Sequence, residues 1–111
     1  MASYLIQLSY TAESWAVLVK HPQDRVEAVS KVIAKLGGKV VDFWGSFGDF
    51  DLIGVIEMPD NVSAAAFSIA VAAGGACKNV KTTPLLSRGE AVKAMKKAGG
   101  SGYKPVSGKK K

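Results

Sequence analysis

The stretch GSFGDFDLIGVIEMPD, residues 45–60, decides how the chain folds. A turn rich in glycine and aromatics leads into Leu52-Ile53-Gly54-Val55-Ile56, which carries no polar side chain. A strand of that kind is buried on both faces, so it belongs in the middle of a sheet. On its N-terminal side Lys39 to Gly45 reads as another strand, and the glycine-containing turn between them makes a hairpin. On its C-terminal side Pro59-Asp60-Asn61 opens a helix that runs to about Ala73 and stops at Gly74-Gly75.

Working outward, Ser3 to Tyr10 alternates Tyr4, Ile6, Leu8 and Tyr10 against Leu5, Gln7 and Ser9, the pattern of a half-buried strand. Thr11 caps a short helical turn through Val19. Pro22 breaks that run and suits the first position of the main helix. Val26, Val29, Ile33 and Leu36 then recur at helical spacing, with Val32 beside them. Asp24 and Glu27 near the start and Lys31 and Lys35 near the end complement the helix dipole, and Gly37-Gly38 stops it. After the second long helix, Asn79 to Leu86 reads as a strand, and Pro84 inside it marks an edge. Ser87-x-x-Glu90 is a capping box for a last short helix through Ala98.

The order β-α-β-β-α-β followed by a helix is the ferredoxin-like, split βαβ pattern. The expected fold class is therefore α+β. It has a four-stranded antiparallel sheet in the order 4-1-3-2, two helices on one face, and a short C-terminal helix. The domain spans residues 1–98, and GGSGYKPVSGKKK, residues 99–111, is a basic extension with too little apolar surface to fold alone. No internal repeat is present.

A chain of 111 residues is large enough for one core and too small for two. Its 48% hydrophobic content is that of an ordinary globular domain. The single cysteine, Cys77, rules out an internal disulfide and suits a reducing cytoplasm. Met1 to Leu5 lacks the features of a secretory signal, and no apolar run approaches the roughly 20 residues of a membrane span. The net charge of +6 is concentrated at one end: residues 1–95 carry nine Lys/Arg and nine Asp/Glu. Lys96, Lys97, Lys104, Lys109, Lys110 and Lys111 make up the excess, so the body has no net field for phosphates.

Strand alternation sorts the side chains into two sets. Tyr4, Ile6, Leu8, Tyr10, Val41, Phe43, Phe50, Leu52, Gly54 and Ile56 form one. Leu5, Gln7, Ser9, Val40, Asp42, Trp44, Asp51, Ile53, Val55 and Glu57 form the other. The second set is more polar and is assigned to the face without helices. Leu5, Val40, Trp44, Ile53 and Val55 nevertheless make too large an apolar patch for water, so a homodimer or higher homo-oligomer packed sheet to sheet is expected. From Asn61 to Cys77 there is no charged residue: either the alanines simply favour helix, or the small side chains admit another subunit.

Asp51 opens the central strand and is expected opposite Trp44. A carboxylate beside an aromatic ring over an apolar floor can serve as a general base. The alternative, which is favoured, is that Asp51 accepts backbone N–H groups in the hairpin. His21, the only histidine, is a weaker catalytic candidate at a helix junction. Cys77 reads as a small buried hydrophobe, with Lys78 placed to lower its pKa. Cys77 and His21 share no ligand spacing, so no metal is expected. Gly74-Gly75 follows a helix and Gly45 to Gly48 joins two strands, so neither is a phosphate loop.

Gly48-Asp49-Phe50-Asp51 before an apolar strand, followed by Glu57-Met58-Pro59-Asp60, resembles the GYD domain family. The Gly37-Gly38-Lys39 helix exit and Leu85-Leu86-Ser87 fit it too, and the likeness covers residues 3–95. One departure is that Phe50 stands at the name-giving tyrosine, which removes any role for a phenol there. The resemblance implies a ferredoxin-like fold of the dimeric α/β-barrel kind, with no cofactor and no established activity. The expected protein is a self-associating cytoplasmic domain, leaning away from an enzyme. It would bind a small, partly apolar ligand between sheet and helices or at the dimer seam, near Tyr10, Trp44, Asp51 and Gln7. Two alternatives remain. One is a cofactor-free monooxygenase- or isomerase-like enzyme with Asp51 as base and Tyr10, His21 or Gln7 as donor. The other is an adaptor whose lysine-rich tail meets nucleic acid or an acidic membrane surface.

Overall fold

The fold was established from a computed structural model, which describes residues 1–107. The elements are β1 (Ala2–Tyr10), α1 (Ala12–Lys20), α2 (Arg25–Lys35), β2 (Lys39–Gly45), β3 (Leu52–Met58), α3 (Asn61–Ala73), β4 (Cys77–Leu85) and α4 (Arg88–Gly99). The four strands form one antiparallel sheet in the order β2-β3-β1-β4. This is the ferredoxin-like α+β arrangement, with β1 and β3 central and Pro84 on an edge strand. Residues 101–107 are irregular and exposed; Lys109, Lys110 and Lys111 lie outside the described residues.

Local chemistry sets the helix boundaries. Thr11 caps α1 by accepting the Ser14 N–H, Asp60 caps α3 by accepting the Ser63 N–H, and Ser87 and Glu90 close a reciprocal capping box at α4. The amides that bond Asp60 and Glu90 hold both carboxyls below their ordinary range. Helix α2 starts later than Pro22, the position the sequence favours. Asp24 is its N-cap, accepting the Val26 N–H at 2.9 Å, which makes Arg25 the first helical residue and leaves Pro22 in the connection. At the other end Gly38 N–H donates to Ile33 O and Gly37 N–H to Ala34 O, both at 3.0 Å. That pair of hydrogen bonds requires the left-handed backbone that Gly37 adopts at φ 87°.

The core is built on one face of the sheet. Tyr4, Ile6 and Leu8 of β1 and Leu52, Ile56 and Met58 of β3 are buried beneath Ile33 of α2 and Ala64 and Phe67 of α3. The buried Tyr4 hydroxyl donates to Asn61 Oδ1, so its polar end is satisfied. Among the described residues no buried side-chain polar atom lacks a partner.

Strand β2 departs from simple alternation. Val40 pairs with Ile56 but Asp42 with Val55, leaving Val41 as the extra residue of a β-bulge. The bulge reverses the expected placing of the two valines: Val40 packs against the core, while Val41 is 55% exposed. Beyond it Phe43 stands opposite Gly54. A β-carbon on Gly54 would lie 2.2 Å from the Phe43 ring, so the glycine in this apolar strand is the floor on which the aromatic lies.

The other face carries three cross-strand rows: Trp44–Ile53–Gln7–Lys81, Asp42–Val55–Leu5–Thr83 and Lys39–Glu57–Ser3–Leu85. Lys39 and Glu57 are ion-paired at 3.4 Å. Helices α2 and α3 occupy the opposite side, and α4 buries none of its residues. Among the described residues no helix is long and apolar enough to cross a membrane.

Substituting Gly54→Ala forces the Phe43 ring off its seat and is expected to lower stability by about 1–3 kcal/mol. Adding Phe43→Leu to Gly54→Ala should recover part of that loss in urea unfolding. Equal midpoints for wild type and Gly54→Ala would show that the ring is free to move.

Candidate binding site

Tyr10, the last residue of β1, is held from both sides. The backbone ladder between β1 and β3 ends at Leu8 and Leu52, and Asp51 continues it by other means. Its N–H donates to Leu8 O at 2.8 Å, its Oδ2 accepts the Tyr10 N–H at 2.8 Å, and its carbonyl accepts the Ser46 N–H at 2.9 Å. Ser9, buried, donates its hydroxyl to Asp49 O at 2.6 Å. On the β4 side Thr11 N–H and the Ser14 hydroxyl both donate to Ala76 O, at 3.0 and 2.8 Å. The register shifts between Ser9 and Tyr10, which brings Tyr10 against Cys77. The turn into α1 then sets the Trp15 ring edge-on to Tyr10, with centroids 5.3 Å apart and planes at 84°.

Three cavities meet at this point, all lined by Tyr10 and Arg25. The largest, about 590 Å³, lies between β2, α1 and the start of α2, with Trp15, Leu18, Val40 and Phe43 on its walls. The second, about 190 Å³, lies between α2 and α3 over the sheet and is walled by Leu8, Val29, Phe67, Val71 and Cys77. The third, also about 190 Å³, opens beside α1 at Ser14, Val17 and Ala76.

Both weak acids at the junction are held neutral. Burial is the main cause pushing the Tyr10 phenol up; the nearby Cys77, Asp51 and Asp24 add to it and Arg25 opposes it. Burial likewise pushes the Cys77 thiol up, with Asp51 adding and Arg25 opposing. This is the reverse of the effect Lys78 suggests in the sequence. Cys77 is half-buried and packs against the core.

The residues singled out from the sequence divide between the two faces. Tyr10 and Asp51 are brought together, but through the Tyr10 amide. Asp51 is not opposite Trp44: Trp44 pairs with Ile53, and Asp51 lies beyond the paired strand, at the level of Ser46. Gln7 and Trp44 share one row of the helix-free face, away from the cavities. His21 is exposed and ends α1, its N–H donating to Val17 O at 2.8 Å, and it lines none of the three cavities. Among the described residues no group of three or more His, Cys, Asp or Glu side chains could hold a metal ion.

Two residues of the junction escaped the sequence reading. Trp15 is brought over Tyr10 only by the turn at Thr11. Arg25 did carry a signal: a cation in the first turn of a helix opposes the macrodipole and is disfavoured there unless it serves something else.

The GYD domain model matches residues 4–95, and the chain belongs to that family. Among solved structures it is similar to TTHA0845 from Thermus thermophilus. The identity is 16%, over 78% of this chain and 95% of that one, with a TM-score of 0.46. No curated protein is similar enough to register as a match.

Two titrations follow from the raised phenol and thiol. In alkaline difference spectra against Tyr10→Phe, the Tyr10 phenol should ionise above pH 10, the ordinary value for tyrosine. Folding stability linked to it is present below that pH and is lost as pH rises through the higher folded value. At pH 8 iodoacetamide should alkylate Cys77 several-fold more slowly in the native protein than in urea. Equal rates would show an unhindered thiol.

Proposed function

We propose that this chain is a cytoplasmic small-molecule binding domain that works as a homodimer. Each protomer holds a compact, partly apolar ligand in the cleft around Tyr10, and two protomers join through the helix-free faces of their sheets. The observation that carries the binding reading is the meeting of three cavities at one rigidly held residue, between aromatic and aliphatic walls. Tyr10 and Cys77 are neutral there, and the Asp51 carboxylate is engaged by the Tyr10 amide. That engagement weighs for binding over a reaction, because a general base must reach the proton it removes. The enzyme alternative rests on fold analogy alone.

The dimer reading is supported by Leu5, Ile53, Val55 and Trp44, which lie side by side in two adjacent rows of the helix-free face. Trp44 is 55% exposed, on the side away from α2 and α3. Pairing two such faces removes this apolar surface from water at about 25 cal/mol per Å². The lysine-tail alternative has less support. Lys96 and Lys97 lie in the last turn of α4, where they complement the helix dipole.

In sedimentation equilibrium the wild type should run at twice the monomer mass or an even multiple. Val55→Lys should run as a folded monomer with an unchanged circular dichroism spectrum. A wild type that stays monomeric at about 100 µM, well above the micromolar range of stable dimers, refutes the sheet-to-sheet contact. For the cleft, Trp44→Phe leaves Trp15 as the sole tryptophan. Small apolar probes such as benzyl alcohol and hexanol should change its emission saturably, and unchanged emission would argue against a site there.

A further inference from the structure

Granted the binding cleft, we infer that its ligand is a compact monocarboxylate, its apolar body between α2 and α3 and its carboxylate on Arg25. Among the described residues Arg25 is the only charged one lining the second and third cavities. The other walls of the second are apolar apart from Tyr10 and Cys77, while Tyr10, Ser14 and Gln23 give the third a polar side. An apolar chamber bordered by a single cation favours an apolar molecule carrying one negative charge.

The guanidinium is available for such a ligand. Among the described residues Arg25 pairs with no carboxylate, and its one hydrogen bond runs from Nη1 to Gln23 Oε1 at 3.2 Å. Most of its five donors therefore remain for a planar carboxylate, whose geometry they match. The Tyr10 hydroxyl, beside it on the same cavities, has no hydrogen-bond partner among the described residues and can supply a further donor. The charge of Arg25 opposes the upward shift of both the Tyr10 phenol and the Cys77 thiol, which places it near both.

The first turn of α2 is a poor place for a cation on its own account, but a good one for an anion held against that cation. The neighbouring cavity works the other way. Asp24 and Asp42 line it beside Arg25, so a carboxylate is repelled there and directed toward the α2–α3 side. Size narrows the class further. About 190 Å³ holds a benzoate or a six-carbon acid. A dicarboxylate or phosphate ester would bring a second charge into apolar walls with no second cation to meet it.

The test titrates the wild type with benzoate, hexanoate, benzamide, benzyl alcohol and benzylamine, reading the NMR amide shifts of Val29, Val71 and Cys77, which line the second cavity, then repeats the series with Arg25→Gln. Arg25 is exposed, so the substitution leaves the core untouched. Benzoate is expected to bind at least tenfold more tightly than benzamide, and added salt should weaken benzoate alone. Arg25→Gln should bring benzoate down to the benzamide level and leave the neutral probes unchanged. Equal binding of benzoate and benzamide, a preference for benzylamine, or benzoate binding insensitive to Arg25→Gln would overturn the carboxylate assignment while leaving the cleft as a binding site. Failure of all five probes would overturn the binding reading together with it.

Discussion

The Asp51 carboxylate accepting the Tyr10 amide is the contact on which the functional end of this molecule depends. Strand β3 starts at Leu52, so β1 runs past the end of its partner's backbone ladder. Without a substitute acceptor, the Tyr10 N–H would face the loop unpaired. Asp51 supplies a side-chain oxygen at 2.8 Å where the ladder has no carbonyl to offer. A charged acceptor makes this one of the stronger kinds of hydrogen bond in a protein. The same residue bonds Leu8 and Ser46 through its backbone, so the loop of residues 46–51 and the end of β1 become one unit. Tyr10 then has a fixed position from which β1 turns into α1, and the cavities take their shape from that position.

The sheet has two faces with different roles because side chains alternate along every strand. On the helix side large apolar residues meet Ile33 and Phe67, and the cavities are what remains at the end of β1, beyond that tight packing. On the other side the rows mix aliphatic and polar residues, and they end in the exposed Trp44 and the Lys39–Glu57 pair at one edge. The bulge at Val41 keeps both faces in phase: it lets Val40 join the core while Asp42 and Trp44 still point with Val55 and Ile53. The Phe43 ring over Gly54 fastens the bulged strand to the centre of the sheet.

Much of this was legible in the sequence where the determinants are local. The caps at Thr11, Asp60 and Ser87–Glu90, the helix stop at Gly37 and the edge-marking Pro84 all act within a few residues of themselves. The element order they define leads to the topology. What was not legible depends on contacts between distant segments. The bulge inverted Val40 and Val41 because alternation alone cannot register an inserted residue. Alternation is equally blind to a slip of two residues, which keeps every side chain on its face, so Asp51 was set opposite Trp44 where Ile53, two residues on, stands. Of the four residues grouped as a site, Gln7 and Trp44 fell on the far face of the sheet. Arg25 and Trp15 joined Tyr10 only through tertiary packing.

The central claim is that the Asp51 side chain fixes Tyr10, and amide hydrogen exchange resolved by NMR tests it directly. In the wild type the Tyr10 amide should be as protected as its neighbours in the middle of β1. In Asp51→Ala, the loss of a charged acceptor is worth about 1–3 kcal/mol. Exchange at Tyr10 should therefore quicken about tenfold or more, while Tyr4 and Ile6 keep their protection. A Tyr10 amide that is equally protected with and without the carboxylate would contradict the account.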